Sequence, residues 1–218
     1  RDWKPKGHGT VDMVRAIAQS CDVYFYGLAD VLGVDRLSEF MGHFGFGQPT
    51  GLDIGGERPG ILPSKAWKTK TFSKKQDQIW FPGETVIFGI GQGYLTATPI
   101  QLAHAASIIA ARGKSFRPRL VTGTRDPLTG KVVPAKPTLL EDIGQGTPEQ
   151  WEIVVKGMYG VTHGGTGSRM QVGASYDIAG KSGTAQVFTI AQNEKYSEKG
   201  LDERLRDHAW FITYAPAD

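Results

Sequence analysis

The stretch Gly180-Lys181-Ser182-Gly183-Thr184, near the carboxyl end of the 218-residue chain, decides how this sequence is interpreted. Gly-Lys-Ser occurs in phosphate-binding loops, but such a loop needs a glycine five positions before Gly180 and a helix after the motif. Position 175 is a serine, and the residues that follow Thr184 are of types that favour a strand. We therefore reject nucleotide binding and predict strands at Thr184–Ile190 and Ala209–Ala215.

The predicted strand gives the motif a different chemistry. Alternate side chains of a strand point to opposite faces, so Lys181 and Gly183 share one face while Ser182 and Thr184 share the other. A cation and hydroxyl groups along a strand edge can bind a carboxylate while the backbone pairs with an extended peptide. The alternative is an ordinary strand that begins with a solvated lysine, and the short motif alone does not decide between the two.

Composition limits the class of protein. Hydrophobic residues form 39% of the chain and charged residues 22%, which is enough apolar material for a folded core. The net charge of +3 does not predict nucleic-acid binding. No apolar run approaches the ~20 residues of a membrane span. The single cysteine, Cys21, excludes an internal disulfide and a metal site made of several cysteines.

Several helices can be predicted from their starting residues. Thr98, Pro99 and Gln101 form a capping box with proline at the first helical position, and apolar residues continue to Ala111. Thr147 begins a second helix of the same kind, which we expect to reach about Met158. Further predictions are Thr10 and Asp35 as helix N-caps, and a solvated loop or a surface for an anionic partner in the basic stretch Ser64–Lys75.

Ser20-Cys21-Asp22 lies between two predicted helical stretches. A serine and a carboxylate two positions apart at such a junction can transfer protons or hold a substrate amide. Polar residues are also common at helix boundaries for structural reasons alone. The motif becomes informative only in combination with others.

Taken in chain order, Ser20-Cys21-Asp22, the segment Ile90–Ala103 and Lys181-Ser182-Gly183 resemble the transpeptidase domain of class B penicillin-binding proteins. The resemblance is greatest to the penicillin-binding protein 2 group of cell elongation. The family carries Ser-x-x-Lys, Ser-x-Asn and Lys-Thr/Ser-Gly; here Asp22 replaces the asparagine of the second motif. No Ser-x-x-Lys occurs, so we expect the nucleophilic serine and its lysine to precede Arg1. Residues 1–218 would be the C-terminal portion of the domain.

The resemblance implies an α/β serine-transpeptidase fold of the penicillin-binding protein and β-lactamase type, with a mainly antiparallel sheet flanked by helices. Lys181–Phe188 would be an edge strand paired with Ala209–Ala215. The implied reaction is acyl transfer from a D-Ala-D-Ala stem peptide to the amine of a neighbouring stem. β-Lactams would acylate the same serine. The implied catalytic residues are Ser20 as proton relay, Asp22 as the residue that positions the nucleophile's lysine, and Lys181. Ser182, Gly183 and Thr184 would bind the substrate, and Lys181 would join Ser182 and Thr184 in holding its carboxylate.

The resemblance also implies a cellular context. The partners would be peptidoglycan stem peptides, β-lactam antibiotics and a membrane-embedded glycosyltransferase of an elongation complex, but not nucleic acid. The protein would lie at the periplasmic face of the bacterial inner membrane, held by an N-terminal anchor that precedes this chain. Two alternatives remain open: a β-lactam sensor or hydrolase of the same fold, and a non-catalytic interaction module that has lost its nucleophile.

A metal site is the last expectation. By residue type alone, Asp2, His8 and Cys21 read as a surface carboxylate, a loop histidine and a small buried cysteine. Some members of the penicillin-binding protein 2 group, however, hold a structural zinc with Asp, Asp, His and Cys, the cysteine lying inside the Ser-x-Asp motif. The spacing of the three residues here is similar. The resemblance therefore implies one structural zinc ion at these residues, with its fourth ligand before Arg1.

Overall fold

The computed structural model describes residues 2–187 and 201–217. Along these residues six α-helices come first, four short strands follow, and a seventh helix precedes the last two strands. Three short 3-10 segments lie at Lys75–Gln78, Ser168–Gln171 and Glu203–Leu205. The α-helices are α1 (Met13–Ala18), α2 (Asp22–Leu32), α3 (Val34–His43), α4 (Lys65–Thr71), α5 (Pro82–Phe88), α6 (Pro99–Ala110) and α7 (Pro148–Thr162). The strands are β1 (Lys114–Phe116), β2 (Gly123–Arg125), β3 (Val132–Pro134), β4 (Leu139–Asp142), β5 (Ala179–Ala185) and β6 (His208–Tyr214).

All strand pairs in the described residues are antiparallel: β1 with β4, β2 with β3, and β5 with β6. In the β5–β6 pair, Ala179 lies opposite Tyr214 and Ala185 lies opposite His208. The predicted pairing of the Lys181 strand with the last strand is therefore confirmed. Its bounds differ, because β5 begins at Ala179 and ends at Ala185. The predicted continuation to Phe188 and Ile190 falls outside the described residues.

The main core lies between α1, α7 and β5. Ile17, Met158, Val161, Ala179 and Ala217 are buried there in one cluster. The α7 members recur at helical spacing, so one face of α7 covers both α1 and β5. A Cβ atom at Gly157 would lie 2.8 Å from the Ile17 side chain, so glycine is required for α1 to approach α7 this closely. This packing fixes the end of α1 beside β5.

Both capping boxes are confirmed. Thr98 caps α6 and Thr147 caps α7, and each pairs with the glutamine three residues later. α7 continues to Thr162, past the predicted end. Gln101 is also almost fully buried, and its carboxamide donates to the carbonyl oxygens of Gly45, Gln48 and Pro59. One side chain therefore caps α6 and holds the loop between α3 and α4.

Two predicted N-caps are wrong. α1 is capped by Asp12, whose carboxylate accepts from the Arg15 N–H, and not by Thr10. α3 begins at Val34 after Gly33, so Asp35 lies in its first turn, where an acidic side chain still favours the helix dipole. Both errors place the cap two residues from its true position.

The prediction of a solvated loop at Ser64–Lys75 is also wrong, because Ser64 caps helix α4 there. Lys68 is only 3% exposed. Its ammonium group pairs with Glu84 and lies 5.3–5.6 Å from the ring centres of Trp80, Phe81 and Tyr94. A basic stretch thus supplies one buried cation to an aromatic cluster. Across the described residues, no helix has both the length and the apolar character that crossing a bilayer requires.

Candidate active site

A cleft of about 740 Å³ opens between the start of α2, the loop after α5 and strand β5. The six predicted catalytic and substrate-binding residues all line it: Ser20, Asp22, Lys181, Ser182, Gly183 and Thr184. Residues from opposite ends of the sequence therefore meet in one cavity. Trp3, Gln92 and Thr166 also line it, and the sequence interpretation had assigned no role to these three.

Ser20 forms the turn between α1 and α2. Its φ of 52° lies in the left-handed region, which for a residue other than glycine costs on the order of 1–3 kcal/mol. The turn is closed by bonds from the Ser20 N–H to the Ile17 carbonyl (3.1 Å) and from the Cys21 N–H to the Ala16 carbonyl (2.9 Å). Such strain persists only where the surroundings hold it, and it marks the turn as functionally constrained.

Trp3 is one of the groups that hold this turn. Its indole N–H lies 3.0 Å from the Gln19 carbonyl oxygen and 3.1 Å from the Ser20 carbonyl oxygen. Its ring also makes an edge contact with the His8 ring, at 5.3 Å between ring centres. The loop before α1 is therefore attached directly to the Ser20 turn. The sequence signal that could have identified Trp3 is its position next to Asp2, a predicted metal ligand.

Lys181 connects β5 to the Ser20 turn. Its Nζ donates to Ser20 Oγ at 2.8 Å and to the Ser182 carbonyl oxygen at 2.8 Å. Burial lowers the pKa of Lys181 from 10.5 to about 8, and the negative charge of Asp22 opposes this shift. Burial and the nearby Asp2 charge raise the pKa of Asp22. The cleft thus contains a cation that can lose its proton near neutral pH.

The glycine-rich loop after α7 touches both sides of the site. Thr166 Oγ lies 2.8 Å from Ser182 Oγ, and the Thr166 N–H donates to the Ala18 carbonyl at 3.2 Å. A Cβ atom at Gly165 would collide with the carbonyl oxygens of Ala18 and Gly160. Only glycine allows this approach, which joins the end of α1 to the motif strand.

Strand β5 offers a cleft-facing edge suited to an extended peptide. Carbonyls two residues apart in a strand lie on the same edge, and those of Ser182 and Thr184 both accept bonds from cleft side chains. The Thr184 bond comes from Gln92 Nε2, at 2.6 Å. A cation, two hydroxyls and an open strand edge can together bind a peptide that ends in a carboxylate.

The three predicted metal ligands also come together. One ligand atom each from Asp2, His8 and Cys21 lies within 4.8 Å of the others. The His8 Nδ1 atom is 3.1 Å from Asp2 Oδ2, whereas the buried His8 Nε2 has no hydrogen-bond partner among the described residues. Cys21 is the N-cap of α2 and is 4% exposed. A carboxylate, an imidazole and a thiol are the ligand types that zinc binds, so the cluster fits three positions of a tetrahedral site.

Comparisons with known proteins identify the family of the chain. A family model described as the penicillin binding protein transpeptidase domain matches residues 1–218. The chain is 45% identical over 222 residues to the peptidoglycan D,D-transpeptidase MrdA of Haemophilus influenzae, covering 100% of the chain and 33% of that protein. The chain therefore spans about a third of the length of this relative.

Two solved structures share the fold. Pseudomonas aeruginosa PBP2, in complex with WCK 5153, matches with a TM-score of 0.79 and 43% identity, over 100% of this chain and 44% of that one. Helicobacter pylori PBP2, in its complex with MreC, matches with a TM-score of 0.79 and 32% identity, over 100% of this chain and 36% of that one. The fold is thus that of penicillin-binding protein transpeptidases, as predicted. The chain belongs to the penicillin-binding protein transpeptidase domain family.

Proposed function

We propose that the protein containing this chain is a peptidoglycan D,D-transpeptidase of cell-wall elongation and a target of β-lactams. The observation that carries the proposal is the 2.8 Å contact between Lys181 Nζ and Ser20 Oγ, because it joins the second and third family motifs in one cleft. Identity to MrdA proteins supports the same activity. The nucleophilic serine would come from the part of the protein that precedes Arg1.

In this proposal the donor stem peptide lies along β5. The Lys181 ammonium and the Ser182 and Thr184 hydroxyls bind its terminal carboxylate, since charge-assisted bonds are the strong ones. Gly183 has no Cβ and lies at the exposed part of the strand, so the peptide backbone can approach closely. The donor carbonyl then points toward the backbone N–H of Thr184, which serves as one oxyanion donor beside the nucleophile's own N–H.

The proton path uses Ser20. The nucleophilic serine oxygen attacks the carbonyl carbon between the two D-alanines, and the C–N bond to the terminal D-alanine breaks. The proton lost by the serine passes through its adjacent lysine and Ser20 to the departing amine. In the second half, an acceptor amine attacks the acyl ester, the C–O bond breaks and the serine regains a proton. Lys181, bonded to Ser20 Oγ, sets the proton affinity of the relay.

Asp22 stands where the family usually has asparagine. As the first residue of α2 it lies at the positive end of the helix dipole, which favours a carboxylate. An ionised carboxylate only accepts hydrogen bonds, so Asp22 cannot donate to a substrate carbonyl as an asparagine amide does. We assign it the positioning of the nucleophile's lysine.

Zinc is part of the proposal as a structural ion. Asp2, His8 and Cys21 would hold it, with a fourth ligand from outside this chain. The site is supported by the short ligand separations and by the buried His8 Nε2, which has no partner within residues 2–187 and 201–217. When bound, the ion would link the segments that carry its ligands and would take no part in the reaction. Because Cys21 separates Ser20 from Asp22, the site would fix both residues at the helix junction.

The cellular setting follows from the activity. The donor peptides lie on the periplasmic side of the inner membrane, so the transpeptidase domain belongs there. We place an anchor before this chain and an elongation glycosyltransferase among the partners. The solved relatives named as a PBP2–MreC complex and a peptidoglycan synthase complex support partners of this kind.

The proposal is tested with the full-length protein, a labelled penicillin and a stem pentapeptide that ends in D-Ala-D-Ala. We expect a long-lived covalent penicillin adduct and release of D-alanine with formation of a cross-linked dimer peptide. Rapid loss of the adduct by hydrolysis would instead identify a β-lactam hydrolase. Absence of any adduct would leave the non-catalytic interaction module.

A further inference from the structure

Gln92 makes a contact in the cleft that the proposed mechanism does not use. Its carboxamide nitrogen lies 2.6 Å from the Thr184 carbonyl oxygen, across 92 residues of sequence. Gln92 is half-buried and lines the same cleft as Ser20 and Lys181. A side-chain amide therefore binds the backbone of the motif strand from the cleft side, where β6 does not reach.

This carbonyl is one that a peptide ligand needs. An extended chain that pairs with a strand edge donates its N–H groups to the edge carbonyls, which here belong to Ser182 and Thr184. Lys181 Nζ bonds to the first of these and Gln92 to the second. Lys181 can retain its bond while it binds a carboxylate, because an ammonium has three donors. Gln92 occupies the place of the ligand's own amide.

The Gln92 side chain can leave the Thr184 carbonyl without a change in the backbone of its loop. Gly91 and Gly93 flank Gln92 with φ values of 77° and 79°, in the left-handed region that favours glycine. The Gln92 backbone N–H donates to the Ile87 carbonyl oxygen at 3.2 Å, so the turn is held in this conformation. Both ends of the loop are fixed. Gly89 packs directly on Ala29, and Tyr94 packs within the aromatic cluster around Lys68. Rotation of the Gln92 side chain is therefore enough to free the Thr184 carbonyl while the loop backbone stays in place.

We propose that Gln92 is a gate, which holds the Thr184 carbonyl until a ligand with an N–H donor at that position replaces it. The inference rests on the proposed function. A ligand that displaces Gln92 without supplying a donor leaves the carbonyl unpaired, which costs free energy in a partly desolvated cleft. A ligand with a backbone amide at this position replaces the lost bond, but it must first displace Gln92, so the gate slows the reaction of such a ligand.

The test compares two penicillins on the full-length protein. One carries an acylamino side chain, whose N–H reaches the Thr184 carbonyl. The other is penicillanic acid with hydrogen at that carbon, and it leaves Gln92 in place. Gln92→Ala removes the donor and the bulk, whereas Gln92→Met keeps the length and removes only the donor. Gln76→Met, at an exposed glutamine away from the cleft, is the matched control.

We expect both Gln92 variants to accelerate acylation by the acylamino penicillin about three- to tenfold, the equivalent of one hydrogen bond. Acylation by the unsubstituted compound and both rates of Gln76→Met should not change. Unchanged or slower acylamino rates, or an equal gain with both compounds, would overturn the gate. If only Gln92→Ala accelerated acylation, the size of the Gln92 side chain and not its hydrogen bond would explain the effect. That result would also overturn the gate. A wild-type protein that neither compound acylates would refute the proposed function itself.

Discussion

Lys181 Nζ lies 2.8 Å from Ser20 Oγ, although 161 residues separate them in the sequence. The contact depends on packing in one core cluster, in which the same face of α7 covers the end of α1 and strand β5. It also depends on the left-handed turn at Ser20, which directs the hydroxyl into the cleft. A cation with a lowered pKa thereby touches the hydroxyl proposed to relay a proton.

The pH dependence of acylation should follow Lys181. Burial lowers its pKa from 10.5 to about 8, so the ammonium charge that binds the ligand carboxylate is present below that pH and lost above it. The second-order rate constant for labelled penicillin reports the free enzyme and should fall as the pH rises through about 8. Lys181→Arg, which stays charged, should remove this fall. A wild-type constant that is flat from about pH 7 to 9.5 would argue against the assignment.

The proposed zinc site predicts that removing one ligand lowers the metal content and the thermal stability together. Cys21→Ser in the full-length protein should lower both the zinc content and the melting temperature, because a structural zinc contributes directly to folding. Metal analysis of protein purified without chelator measures the first, and thermal unfolding the second. Asp12→Ala is the control, since loss of an N-cap costs about 1 kcal/mol and leaves the ligands intact. Wild-type protein without zinc would refute the site.

Two glycines should respond in opposite ways to alanine. Gly165→Ala places a Cβ against two backbone carbonyls and should destabilise the full-length protein by about 2 kcal/mol. It should also slow acylation, because Thr166 would lose its place beside Ser182. Gly27→Ala lies on an exposed position of α2 with open space around it and should stabilise by roughly 0.5–1 kcal/mol. Denaturant unfolding checks both, and equal effects would contradict the proposed close approach.

The buried Lys68–Glu84 pair should behave as a unit. Lys68→Met leaves the partly buried Glu84 carboxylate without its cation and should destabilise by about 3 kcal/mol. Adding Glu84→Gln should restore much of this loss, because the uncompensated charge is then removed. A double-mutant cycle of unfolding free energies measures the coupling. Additive effects would mean that the two groups do not depend on each other.

The predictable parts of the fold were those encoded by local signals. The boxes at Thr98 and Thr147 are complete within four residues, and both helices begin where those residues predict. The N-cap of α1 was misplaced because Thr10 and Asp12 are both good capping residues two positions apart, and only packing selects Asp12. A local sequence pattern determines the first residue of a helix only when the segment contains a single good capping residue.

The contents of the cleft were predictable in part. Ser20, Lys181 and the metal cluster were identified from motif order and resemblance, and the structure brings each group together. Trp3 and Gln92 were missed because each acts through bonds to backbone carbonyls distant in sequence, which no local pattern records. Lys68 was missed for a related reason: its burial depends on aromatic rings contributed by later segments.

The most direct test of the account is the acylation rate of Lys181→Ala in the full-length protein with labelled penicillin. Loss of one charge-assisted bond and of the group bonded to the proton relay should lower the rate at least about a hundredfold. The melting temperature should change little, since Lys181 lies at the cleft and not in the core between α1 and α7. A normal acylation rate in a normally folded Lys181→Ala protein would contradict the central role given to the Lys181–Ser20 contact.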